Sequence, residues 1–250
     1  VQTLAFLAGL PGRKIVVCPS SLVFNWQREA SRYTPQLRTI AIQGAERHSI
    51  FGESLQNADL LITSYALLRR DIERYHELEF AAAVLDEAQH IKNPESQNAQ
   101  AAFSLKAERR LALTGTPIEN SLADLWSLMN FLMPGYLGTR VDFRERYQRP
   151  IENSPAGPEH HRLVKRLKPC LLRRLKRNVL SELPDKIEHV SYCELTAQQR
   201  EVYAKLLETT RRQVSEWSST ENPGQARMLM LTALLRLRQV CCDVRLLDLP

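Results

Sequence analysis

Four short apolar runs constrain this chain more than any other feature. They are Lys14–Cys18 (KIVVC), Asp59–Thr63 (DLLIT), Phe80–Leu85 (FAAAVL) and Arg110–Thr114 (RLALT). Each is too short for a helix, and most of each is apolar without the polar alternation of a half-exposed strand. Helical patterns separate them, over Val1–Leu10, Leu22–Tyr33, Tyr65–Arg70, Ser96–Leu105 and Ser121–Leu132. Thr39–Ile42 is a fifth candidate strand. Strands of this kind alternating with helices imply an α/β fold, a parallel sheet with helices on both faces.

In such sheets ligands sit beyond the carboxyl ends of the strands. Four polar clusters fall there: Pro19-Ser20-Ser21, Thr63-Ser64-Tyr65, Asp86-Glu87 and Thr114-Gly115-Thr116. The Asp86-Glu87 pair is the most informative. A carboxylate at a buried strand end can hold Mg²⁺ through water, and a second beside it can polarise the water that attacks a γ-phosphate. Acids at that position also serve simply to cap a following helix. Thr114-Gly115-Thr116-Pro117 supplies hydroxyls and a flexible backbone nearby, or merely a turn.

The pattern changes after Pro134. Asn153–Pro158 reads as a loop, Lys186–Leu195 as a strand, and Ala197–Trp217 and Ala226–Val240 as long helices. The implied division is a first domain over 1–150, a basic connecting segment over 151–185 and the start of a second domain over 186–250. From Arg162 to Arg177 there are eight Lys/Arg and no acid. Taking those eight from the net charge of +6 leaves the rest of the chain at about −2. A run like this can neutralise several phosphates or form a solvated helix face. The five cysteines show no metal-ligand or disulfide spacing. No apolar run approaches the ~20 residues needed to span a bilayer, and nothing directs the chain out of the cytoplasm.

Longer strings are more specific. AAAVLDEAQ resembles the Walker B box of superfamily 2 helicases and translocases. Residues 111–138, with TGTPIEN and LWSL, resemble the motif III region of the Snf2 family. KIVVCPSSLVFNW is similar to that family's motif Ia, LITSY to motif Ib, and LLRRLKRNVLSELPDK to the segment leading from its first lobe to its second. TAQQREVYAKLL and LRLRQVCCDVRL resemble the helical opening of the second lobe. The resemblance implies a RecA-like first lobe and an ATPase that uses ATP and Mg²⁺. It implies movement along double-stranded DNA, displacement of DNA-bound protein complexes, a monomer, and a cytoplasmic, nucleoid-associated location.

Carried onto this chain, the resemblance makes Asp86 the Mg²⁺ residue and Glu87 the catalytic base. Gln89, where many relatives have His, would couple the nucleotide site to Thr114, Gly115 and Thr116. Pro19, Ser20, Thr63 and Ser64 mark segments that would contact DNA phosphates, and Arg173 and Arg174 would serve DNA contact or the lobe junction. Trp26 and Trp126 read as core residues and His90 as a helix-surface residue.

No Gly-Lys-Thr or Gly-Lys-Ser occurs in the chain, so the phosphate loop of such ATPases is missing. The family places that loop just before a stretch like Val1-Gln2-Thr3. The expectation is therefore a fragment that begins after the loop, stops before the arginine fingers and alone hydrolyses little ATP. Two alternatives remain: a non-catalytic DNA- or protein-binding module that kept the fold, and a strand-separating helicase, against which TGTPIEN argues.

Overall fold

A computed structural model describes residues 1–44, 47–51, 55, 57–115, 122–174, 187–218 and 223–247. Five parallel strands form one sheet: β1 (Lys14–Cys18), β2 (Thr39–Ile42), β3 (Leu60–Ser64), β4 (Glu79–Leu85) and β5 (Lys106–Ala112), in the order β2-β3-β1-β4-β5. β1 lies at the centre. On one side it is flanked by β3 and then β2, on the other by β4 and then β5, so the order switches next to β1.

β1 and β3 are buried at every position. That burial on both faces explains their continuous apolar sequence. Ile15, Val17, Leu61, Ala83 and Leu85 face one core, against α3 (Tyr65–Arg70), α4 (Gln97–Phe103) and α5 (Leu122–Leu132). Val16, Cys18, Leu60, Ile62, Ala82 and Val84 face the other, with Leu4 and Leu7 of α1 (Gln2–Ala8) and Val23, Trp26 and Ala30 of α2 (Val23–Tyr33). Successive residues point to opposite faces, so each strand feeds both cores. A third cluster joins Leu125 and Met129 of α5 to Phe143, Tyr147 and Ile151, and to Leu163 and Leu167 of α6 (Pro158–Leu167).

The strands end nearly level. Cys18 pairs with Ser64, Val17 with Leu85, and Leu85 with Ala112. Two sequence expectations change. The last strand runs over Lys106–Ala112 rather than Arg110–Thr114. As an edge strand it carries Lys106, Glu108 and Arg109 toward solvent, which hides its apolar periodicity, and Thr114 lies beyond its end. The strand expected over Lys186–Leu195 is absent among the described residues 187–195, which are almost all exposed and irregular. A strand needs a ladder partner for its backbone groups, and their unit offers none among those residues.

Residues Val1–Arg173 form one compact unit and Arg174–Pro250 a second. Most of the described part of the second is two packed helices. These are α7 (Ala197–Ser218) and α8 (Pro223–Cys242), with Gln199 Nε2 donating to the Val240 and Cys241 carbonyls at 3.1 and 3.2 Å. Among the described residues no helix is long and apolar enough to cross a membrane.

Candidate functional site

β4 carries its chain to Asp86 and Glu87 at the carboxyl edge, beside the end of β1. Backbone bonds hold this corner: Asp86 N–H donates to the Val17 carbonyl at 2.8 Å, Leu113 N–H to Leu85 at 2.8 Å and Ala88 N–H to Leu113 at 2.9 Å. The ends of β1, β4 and β5 are thus tied through the main chain.

Both carboxylate oxygens of Asp86 are engaged. Oδ2 accepts the Trp26 indole N–H at 2.8 Å and Oδ1 accepts the Glu87 N–H at 3.0 Å. Its carbonyl accepts the Tyr65 hydroxyl at 2.8 Å. Burial, then the charge of Asp86, pushes the Tyr65 phenol well above its usual range, so it stays a donor. Each carboxylate oxygen keeps lone-pair capacity for a further ligand.

Glu87 follows in the left-handed region at φ 48° and ψ 53°, as the non-glycine residue with positive φ among those described. Its Oε2 accepts Gln89 Nε2 at 2.8 Å, and Gln89 Oε1 accepts the Thr114 hydroxyl at 3.2 Å. A continuous hydrogen-bonded path therefore runs from Glu87 through Gln89 to the segment after β5. Gly115, exposed, follows directly, and Thr116 lies outside the described residues.

The remaining expected residues divide between the turns after β1 and β3 and the segment after α6. Pro19 is half-buried and Ser20 exposed, at the turn between β1 and α2. Thr63 and Ser64 are buried. The Thr63 hydroxyl donates to the Ile42 carbonyl at 3.4 Å, and Ser64 Oγ accepts the Leu67 N–H at 3.3 Å as the cap of α3. Arg173 and Arg174 are exposed, after α6. Arg166, within the basic run, turns inward: it donates to the Tyr136 carbonyl at 2.7 Å and stacks on that ring. Cys18, beside Asp86, is a buried thiol, pushed up to about 12 by burial and by the Asp86 charge. His90 is on the surface, and its ring stacks on Tyr65 with centroids 4.8 Å apart.

Two bonds to Asp86 escaped the sequence reading, which took Trp26 as core and placed Tyr65 at the strand edge without a role. Trp26 does pack with the core, but its indole reaches a carboxylate. The available signal was a donor-only ring less than two turns past Ser20, on the helix that opens at the sheet edge.

The model for the SNF2-related domain matches residues 4–246. The chain belongs to that family. This SNF2-related domain is 35% identical over 239 residues to the TATA-binding protein-associated factor MOT1 of Saccharomyces cerevisiae, covering 91% of the chain and 13% of that protein. It is 35% identical to the putative ATP-dependent helicase/translocase YwqA of Bacillus subtilis, covering 91% of the chain and 25% of that protein. The chain thus spans a quarter or less of these relatives. The Sulfolobus solfataricus SWI2/SNF2 ATPase core in complex with dsDNA matches with a TM-score of 0.67 at 35% identity, covering 96% of this SNF2-related domain and 50% of that chain.

Proposed function

We propose that this chain is the catalytic first lobe, with the opening of the second, of a DNA-dependent ATPase that moves along duplex DNA and displaces proteins bound to it. The observation that carries the reading is the arrangement Asp86, Glu87, Gln89, Thr114 at one strand edge, in which two adjacent carboxylates have different environments. Asp86 is held on both oxygens, whereas among the described residues the Glu87 carboxylate accepts from Gln89, which links it to a neighbouring strand end.

Among the described residues no three His, Cys, Asp or Glu side chains gather as a metal cluster. That suits Mg²⁺, which usually takes one or two carboxylates and fills its sphere with waters and phosphate oxygens. Asp86 would hold it. When bound it would neutralise charge on the terminal phosphates of ATP. Glu87 would orient the attacking water and accept its proton, and Gln89 keeps the Glu87 carboxylate in place. Movement of Thr114 relative to Gln89 would then report nucleotide state to the segment beyond β5.

Pro19 and Ser20 would contact one DNA strand at the exposed β1–α2 turn. Thr63 and Ser64 would shape the next turn through backbone groups, since their hydroxyls bond internally. Phosphate contacts position a protein without reading sequence, which suits a translocase. The phosphate-binding loop would come from residues outside these 250. Support also comes from the relatives, one named as a translocase and one solved as an ATPase core with dsDNA.

The test is phosphate release with and without duplex DNA, by the full-length gene product and by the 250-residue chain. The full-length protein is expected to be stimulated by DNA, and E87Q to lose at least about 10²-fold in rate, the order contributed by a general base. The isolated chain is expected to release little phosphate. An unstimulated full-length protein, or an E87Q variant as fast as its parent, overturns the reading.

A further inference from the structure

We propose that Trp26 is a positioning residue for Asp86, through which the DNA-facing start of α2 sets the affinity of the metal site. The inference rests on the function proposed above and assigns a role to a residue outside the motif II and III relay. An indole N–H in a core needs only some acceptor, and a backbone carbonyl suffices for most. Here it reaches a side-chain carboxylate 60 positions away, at 2.8 Å, at a strand end. That carboxylate has no lysine, arginine or histidine among its described hydrogen-bond partners, which are Trp26 and the Glu87 N–H.

The two bonds act on different oxygens, so together they fix the carboxylate plane. The Glu87 N–H alone would leave the group free to turn about χ2. Partners of this kind orient metal-binding carboxylates, and losing one typically weakens metal affinity about 10–100-fold. The connection to DNA is geometric. Ser20 is exposed in the turn that opens α2, Trp26 lies six positions later, and the intervening Val23 is buried in the same core. A displacement of that turn therefore moves the indole as part of a short, packed unit.

The experiment uses the full-length protein with Mn²⁺ in place of Mg²⁺ and a non-hydrolysable ATP analogue. Loss of the free Mn²⁺ electron paramagnetic resonance signal, corrected by protein-free titrations for Mn²⁺ held by the analogue and the duplex, gives the metal affinity with and without a short duplex. W26F keeps a ring in the core and removes the N–H. It is expected to weaken Mn²⁺ binding about 10–100-fold, to leave metal-free binding of the analogue unchanged, and to abolish the tightening caused by duplex. Should W26F melt well below the parent, benzothienylalanine at position 26 preserves the bicyclic shape without the donor. Unchanged Mn²⁺ affinity, or an undiminished effect of duplex, overturns the proposal. These outcomes are separable from failure of the broader reading, which shows as absent DNA-stimulated phosphate release in the unsubstituted protein.

Discussion

Glu87 combines a charged side chain with a left-handed backbone, a conformation that costs an L-residue roughly 1–2 kcal/mol. The turn is over-determined on both sides, by Asp86 N–H on Val17 and Ala88 N–H on Leu113, so the neighbouring ladder offsets the strain. E87A and E87G remove the same carboxylate and the same bond to Gln89. They should therefore be equally inactive yet differ in stability, E87G being the more stable by about 1 kcal/mol. Equilibrium urea unfolding of the pair checks this, and equal midpoints would show that the backbone is relaxed in solution. The carboxylates themselves were legible, because each strand end marks itself by a change from apolar to polar residues. Trp26 and Tyr65 were not, because their role depends on bringing positions 26, 65 and 86 together from three elements. No local period records that.

Among elements, an ion pair joins Arg47, in the described segment after β2, to Asp71. Arg47 Nε meets Asp71 Oδ2 at 2.6 Å and Arg47 Nη2 meets Oδ1 at 3.1 Å, with side chains 9% and 4% exposed. Arg47 also donates to the Gly44 carbonyl at 3.0 Å. The pair ties the segment after β2 to the end of α3, the helix whose cap is Ser64. Removing one partner strips the other of its counter-charge, so Asp71→Ala should destabilise the fold. Chemical denaturation checks this, and an unchanged midpoint would mean that water reaches the guanidinium. Nothing in the sequence marked these two residues, since Arg47 and Asp71 look like ordinary surface charges until the fold buries them. The converse holds for β5, where surface charge concealed the first half of an edge strand, and for residues 187–195, read as a strand, which have no partner strand among the described residues.

For the whole molecule, charge distribution matters more than net charge. The basic run divides by orientation: Arg166 is spent inside, while Arg162, Lys165, Lys168 and Arg173 are exposed. If Arg173 meets a phosphate, R173A should reduce the slope of log affinity for duplex DNA against log salt by about 1. The same substitution should leave the preference among DNA sequences unchanged. A salt titration of DNA binding decides it, an unaltered slope removing Arg173 from the DNA surface. The family model spans nearly the whole chain, in keeping with an α/β architecture that could be read from strings such as LDEAQ and TGTPIEN.

The sheet brings one aromatic donor to Asp86 from each of its two cores, Trp26 from one and Tyr65 from the other. For protein engineering this makes the acidic corner non-modular. A graft of the LDEAQ loop onto a foreign parallel sheet would reproduce the two acids but not their orientation, unless the recipient scaffold also offered a suitably aimed ring on either side.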